Sequence, residues 1–210
     1  MLPAGAPVSS VKTCFCFDLD GTVTRREILP AIASEIGLSE EMALLTSLTI
    51  RGLIPFETSF RLRCRILRDI PVSRVREIVA DIPLDPLIEA FIRDNRERCA
   101  IITGNLDVWV RDMADRLGCR WFSSEGVVKD DRLESVHRAI SKDHALRTFR
   151  DGSFDRVVAI GEGFNDIRMF EAADIGIGFG GVHAPVPEIV EASRYVVYRS
   201  ASLCRLLNTL

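Results

Sequence analysis

Five short apolar runs are spaced along the chain: Thr13 to Phe17, Cys99 to Thr103, Val157 to Gly161, Ile175 to Phe179 and Tyr195 to Val197. Most are separated by segments of helical period. Runs of this length, bounded by turn residues, read as strands buried on both faces. Strands alternating with helices imply a doubly wound, mostly parallel sheet with helices on either side, an α/β core of Rossmann-like type. The spacing is uneven. About eighty residues separate the first two runs, far beyond an ordinary crossover. Within that gap, Arg25 to Asp81 is helical in pattern. Ile28, Leu29, Ile32, Ala33 and Ile36 make one apolar stripe. Met42, Leu45 and Leu48 suggest a second helix ending near Gly52. Phe56 to Leu67 follows Pro55, and Val72 to Ala80 follows Pro71. Pro83 and Pro86 mark the return, and Leu87 to Arg96 is the expected crossover helix. The expected division is a tail over 1–12, a core of 13–24 with 82–210, and a helical-bundle cap over 25–81. Gly126 to Leu133 reads as a hairpin turning at Lys129 to Asp131.

The 210 residues suffice for one well-buried domain with an inserted subdomain. A composition of 47% hydrophobic and 27% charged residues with net charge −3 carries no nucleic-acid or anionic-membrane footprint. No apolar run is long enough to span a bilayer. Met1 to Ser10 has neither a basic start nor a long apolar core, so it reads as a loose tail rather than a signal peptide. The six cysteines form no zinc-type spacing, and several sit in apolar surroundings. A reducing compartment, the cytoplasm, suits them best.

The chemistry begins where the first run ends, at Asp18-Leu19-Asp20-Gly21-Thr22-Val23-Thr24. Two carboxylates two residues apart at a strand end project to one side. They repel each other unless a cation or a shared proton holds them, and this suits metal-assisted work on a phosphate. Ile101-Ile102-Thr103-Gly104-Asn105 ends the second run with a hydroxyl and a glycine, and is expected to open a helix whose N–H groups suit an anion. Lys142 offers a fixed positive charge. Gly161-Glu162-Gly163-Phe164-Asn165-Asp166 ends the third run with two further carboxylates between glycines that allow close approach. Singly these are weak signals: Ser141 suits an ordinary N-cap, and Glu162 and Asp166 suit caps. Jointly, an acidic pair, a hydroxyl, a lysine and a second acidic pair fall in order, mostly at strand ends.

This set resembles the haloacid dehalogenase superfamily of phosphohydrolases, from Cys14 to Tyr198, with the cap as a C1-type insertion. The resemblance implies Asp18 as nucleophile, forming an aspartyl phosphate. It implies Asp20 as acid for the leaving alcohol and then as base for water. Thr103, Gly104, Lys142 and Asn165 would hold the phosphate. Mg²⁺ would be held by Asp18, the backbone carbonyl of Asp20, Glu162 and Asp166. The cap would open and close about hinges near Thr24 to Arg26 and Ile82 to Asp85.

Two cap residues bear on substrate. Phe56, Phe60, Arg63 and Leu67 share a helical face, so Arg63 needs an anionic partner, either an internal acid or a substrate carboxylate. Arg61, Arg65 and Arg68 form a separate solvated stripe. Glu27 closes a possible capping box, Thr24-Arg25-Arg26-Glu27, or takes a substrate ammonium. The cap resembles the phosphoserine phosphatase branch, which implies Glu27 for the amine and Arg63 beside Phe56 for the carboxylate. Three residues depart from the branch pattern: Gly21 replaces a serine, Asn105 a glycine, and Glu162 a metal-binding aspartate. Glu162 binds the ion directly, through water, or leaves more of the task to Asp166. Hydrolysis of phosphoserine is the leading expectation. The alternatives are another small phosphomonoester, transfer to an alcohol such as homoserine, and an impaired phosphate-ligand-binding protein. A small-molecule substrate is the expected partner, with no nucleic acid or membrane, and the chain is a monomer or a homodimer.

Overall fold

All five residues of β1 (Thr13–Phe17) are buried, because this strand lies at the middle of the sheet. In the computed structural model, which describes residues 11–210, the other strands are β2 (Cys99–Leu106), β3 (Arg120–Lys129), β4 (Arg132–Arg138), β5 (Arg156–Gly161), β6 (Ile175–Phe179) and β7 (Tyr195–Val197). Their order is β4-β3-β2-β1-β5-β6-β7, and every neighbouring pair is parallel except β3–β4. The expected tail lies outside the described residues apart from Val11 and Lys12. Lys12 is already tied to the sheet: its N–H donates to Asp155 Oδ2 at 2.9 Å, and its carbonyl accepts from the Asp155 and Arg156 N–H groups.

Side-chain alternation along β1 builds a core on each face of the sheet. Phe15 and Phe17 pack edge-on against Phe91 of α5 (Pro86–Asp94), at centroid distances of 5.4 and 6.3 Å. Cys14 and Cys16 point the other way, into a cluster with Leu146 of α7 (Lys142–Arg147), Met169 of α8 (Ile167–Ala172) and Ile189 of α9 (Pro187–Ala192). α6 (Asp107–Leu117) and α10 (Ser200–Leu207) join the first face. All six cysteines are free thiols. Among the described residues, no helix is long and apolar enough to cross a membrane.

Between β1 and α5 run α1 (Ile28–Ala33), α2 (Ser39–Ile50), α3 (Phe56–Leu67) and α4 (Val72–Ala80). Several sequence expectations need correction here. Ile36 is exposed rather than part of the first stripe, because α1 tightens into a 3₁₀ turn over Ser34–Ile36. The buried face of α2 is Met42, Thr46 and Thr49, not Met42, Leu45 and Leu48; its threonines turn toward a polar cavity. Glu27 closes no capping box. It is itself the N-cap residue of α1, and the Thr24 hydroxyl turns back to accept from the Gly21 N–H and donate to the Leu19 carbonyl. Thr103-Gly104-Asn105 does not open a helix, since β2 continues to Leu106 and α6 starts at Asp107. The hairpin is real but longer than expected. Asp130 and Asp131, at φ 48° and 57°, make its tight turn, and the first half of β3 extends the parallel sheet beside β2.

The two connections to the inserted helices lie side by side. Thr24 and Leu84 form an antiparallel bridge, and the Arg25 N–H donates to the Pro83 carbonyl at 2.8 Å. Asp85 locks this junction: its Oδ1 caps α5 through the Leu87 and Ile88 N–H groups, and its Oδ2 accepts from the Ser200 hydroxyl at 2.6 Å. Asp85→Ala removes the cap and leaves buried donors unmet. We expect it to cost about 1–2 kcal/mol in urea unfolding. A loss well under about 0.5 kcal/mol would show that the junction does not depend on Asp85.

Candidate active site

The carboxyl ends of β1, β2 and β5 lie on one edge of the sheet, beside the point where strand order reverses about β1, and it is there that α/β sheets bind ligands. Asp18 leaves β1 with its N–H donated to the Ile160 carbonyl of β5 at 2.8 Å. Glu162 follows β5, and Asp166 returns over the same loop, its Oδ2 accepting from the Glu162 and Gly163 N–H groups at 3.2 and 3.0 Å. Asp18, Glu162 and Asp166 are all buried, and one oxygen from each lies within 4.8 Å of the others.

Lys142, at the start of α7 and buried, donates to Asp18 and to Asp166 Oδ1. Burial by itself would lower the lysine's pKa, but Asp166 and Asp18 outweigh it and hold the ammonium well above its ordinary value. Asp18 is pushed up to about 7: burial raises it, Lys142 opposes, and Asp166 adds repulsion. Glu162 is raised by burial and then by Asp18 and Asp166, against a hydrogen bond from Thr22. One lysine does not neutralise three buried carboxylates. Three hard oxygen donors converging at this spacing, with an uncompensated negative charge, fit a divalent cation such as Mg²⁺.

A cavity of about 50 Å³ lies over Asp18, roofed by the inserted helices. Asp18, Asp20, Gly104, Asn105, Glu162 and Asn165 supply its floor; Glu27, Phe56 and Arg63 line the cap side together with Phe60, Thr46 and Thr49. Thr103, Lys142 and Asp166 stand behind this first layer. Thr103 is fully buried, and its Oγ1 accepts from the Asn105 N–H at 3.2 Å. Phe56 stacks on Phe60 at 5.3 Å and presses on Gly104, where a Cβ would sit 2.4 Å from the Phe56 ring. Gly104 therefore lets the cap close onto the strand end.

Asp20 Oδ1 accepts from the Ile28 N–H at 2.8 Å, so the acid at the end of β1 caps the first cap helix across eight residues. Its pKa is raised by burial and by Glu27. Arg63, 4% exposed, donates from Nη1 to Thr46 Oγ1 at 3.0 Å. No carboxylate among the described residues forms a salt bridge with it, and its buried Nε has no hydrogen-bond partner there. Burial lowers its pKa while Asp20 and Glu27 work the other way, and the guanidinium stays a cation.

Sequence reasoning missed His183, in the loop after β6. Its Nε2 lies 2.8 Å from Glu27 Oε1, and Glu27 raises the imidazole's pKa. A histidine in a glycine-bearing loop at a strand's carboxyl end, Gly180-Gly181-Val182-His183, was the available signal. Thr22 was also missed as a partner. Its hydroxyl donates to Glu162 Oε2 at 2.5 Å.

Gly21 and Glu162 are coupled sterically. Gly21 has φ +82°, and a Cβ there would lie 2.5 Å from Glu162 Oε1 and 3.0 Å from Glu27 Oε1. The Glu162 carboxylate, carried one carbon further than an aspartate's, thus occupies the space that a side chain at position 21 would need.

The family model for haloacid dehalogenase-like hydrolases matches residues 15–171. The chain belongs to that family, and it is an enzyme of the phosphatase class. Within the family it falls in the phosphoserine phosphatase-like branch. It is 29% identical to the phosphoserine phosphatase of Methanocaldococcus jannaschii over 180 residues, covering 80% of this chain and 85% of that one. It is also similar, at 29% identity, to the Archaeoglobus fulgidus phosphoserine phosphatase, of whose length the match covers 52%. A substrate-bound phosphoserine phosphatase complex superposes with TM-score 0.84 at 26% identity, over 96% of this chain and 99% of that one. A phospho-aspartyl intermediate analogue of phosphoserine phosphatase gives 0.81 at 25%, over 95% and 99%.

Gly21→Ser should destabilise the protein by about 1–3 kcal/mol, through left-handed backbone strain and the clash with Glu162. It should also weaken Mg²⁺ binding. Glu162→Asp alone should retain activity, and combined with Gly21→Ser it should recover part of the lost metal affinity. Calorimetric Mg²⁺ titration of the four proteins checks this; strictly additive effects would separate the two positions.

Proposed function

We propose that the chain is a Mg²⁺-dependent phosphomonoesterase acting through an aspartyl phosphate on Asp18, with phosphoserine as substrate. The observation that carries the substrate is Arg63: a buried cation with an unpaired Nε, lining the same cavity as Asp18, Asp20 and Glu27. Phosphoserine brings a phosphate, a carboxylate and an ammonium. Arg63 takes the carboxylate and Glu27 the ammonium, the latter through the oxygen that His183 does not hold. Phe56 covers the carbon skeleton. Thr103, Gly104, Lys142 and Asn165 serve the phosphate.

Asp18 attacks phosphorus while Asp20 gives its proton to the serine oxygen. The resulting Asp20 carboxylate then takes a proton from water as that water attacks the phosphoenzyme, and Asp18 leaves as carboxylate. Lys142 holds Asp18 in place throughout and offsets charge gathering on the phosphoryl oxygens. Mg²⁺, held by Asp18, the Asp20 carbonyl, Asp166 and Glu162, would neutralise that charge further and align the phosphoryl group. The cap over 25–81 swings on the paired connections at Thr24 to Arg26 and Ile82 to Asp85, admitting substrate and then excluding water. Six free cysteines support a reducing compartment, the cytoplasm.

Turnover of a panel of phosphomonoesters tests the substrate. Phosphoserine should be preferred, and Arg63→Ala should lower its kcat/KM by about 10²-fold or more while sparing substrates without a carboxylate. No preference for phosphoserine, or a uniform loss across the panel, would refute it. The raised pKa of Asp18 adds a second expectation. Protons compete with the ion for this carboxylate, so Mg²⁺ affinity should weaken as pH falls below about 7. Calorimetry between pH 6 and 8 in buffers of different ionisation enthalpy would show proton release; an affinity independent of pH would contradict the ligand assignment.

A further inference from the structure

Asn105 lines the cavity and is 4% exposed. Its Nδ2 donates to Asp20 Oδ2 at 3.3 Å and lies 3.4 Å from Thr103 Oγ1. Its Oδ1 is buried and accepts no hydrogen bond from any described residue. A buried amide oxygen without a donor costs free energy, and it is kept where a donor arrives during function. The leaving oxygen of a phosphomonoester arrives at Asp20 as an acceptor and cannot serve it. A water molecule can. A water about to attack phosphorus aims one lone pair at it, and giving both hydrogens to acceptors fixes that aim. Asp20 Oδ2 and Asn105 Oδ1 belong to side chains already hydrogen-bonded to each other at the cavity floor, and between them they supply two acceptors.

We propose that Asn105 positions the hydrolytic water, accepting one hydrogen at Oδ1 while Asp20 Oδ2 accepts the other. The inference rests on the aspartyl-phosphate reading above and not on the choice of substrate. The water oxygen bonds to phosphorus, the phosphorus–oxygen bond to Asp18 breaks, and its electron pair returns to the Asp18 carboxylate. The proton at Oδ2 passes to Asp20, and the one at Asn105 stays on the phosphate product. The Nδ2–Asp20 bond is the one expected at this stage, when Asp20 is a carboxylate and can only accept. A group that orders water in this way favours hydrolysis over transfer to a bulkier alcohol.

Rapid-quench and burst kinetics with p-nitrophenyl phosphate and Mg²⁺ test the proposal, because this leaving group needs little acid help and isolates the second step. In Asn105→Ala the burst of p-nitrophenol should keep near its wild-type rate, while steady turnover drops about 10²-fold. The aspartyl phosphate should then accumulate on Asp18 toward one per enzyme. Asn105→Ser, whose hydroxyl is too short to reach the same point, should behave likewise and serves if the alanine variant does not fold. An equal loss in burst and steady rates, or turnover at the wild-type rate, would overturn the role of Asn105 while leaving the intermediate intact. Failure of the wild-type enzyme to label at Asp18 would overturn the intermediate, and the inference with it.

Discussion

The site depends on one electrostatic constraint: three carboxylates buried against one another with a single lysine among them. Lys142 bridges Asp18 and Asp166, and nothing else of positive charge touches that cluster among the described residues. Buried like charges at this spacing are unfavourable, and Asp18 and Glu162 are raised by burial first and by repulsion from their acidic neighbours second. Such an arrangement is stable as a cation trap, and it is poised for chemistry that gathers further negative charge. The same constraint explains why the residues come from separate strand ends. Convergence of β1, β5 and α7 at the middle of a parallel sheet buries all of them at once.

The inserted helices finish what the strand ends begin. Asp20 caps α1 through Ile28, so the second carboxylate after β1 is coupled to the inserted helices by a hydrogen bond. Phe56 rests on Gly104, and Arg63 faces the cavity with an unpaired nitrogen. The departures from the branch pattern also fall into place as physical adjustments. Glu162 reaches over Gly21 to Thr22, and Asn105 joins Asp20 at the floor. Residues of the strand ends and of the inserted helices thus line one cavity.

Much of this was legible in the sequence because buried strands and amphipathic helices leave periodic traces. β1, β6, β7, α3 and α4 have the bounds that their apolar patterns suggest. The parallel half of β3 left no such trace, because Trp121 and Phe122 are its only apolar residues, flanked by Arg120 and two serines, and Ser124 alone is fully buried. α2 misled for the opposite reason: its buried face carries Thr46 and Thr49, chosen for a polar cavity and for Arg63 rather than for a core. Asp18, Asp20, Glu162 and Asp166 stood out because paired carboxylates at strand ends are costly unless used, and Lys142 because they need a cation beside them. His183 and Thr22 were not, since their meaning lies in contacts across 156 and 140 residues that no local pattern encodes.

The proposed chemistry turns on Asp18 as the phosphorylated group, held by Lys142 beside a divalent cation. A crystal structure of the enzyme grown with Mg²⁺ and beryllium fluoride addresses it most directly. A BeF₃⁻ group should be bonded to an Asp18 carboxylate oxygen, with the Lys142 ammonium against it. One Mg²⁺ should touch Asp18 and Asp166, with Glu162 on the same ion directly or through water. A beryllium fluoride group bound away from Asp18, or an adduct formed with no cation in the Asp18–Glu162–Asp166 cluster, would contradict it.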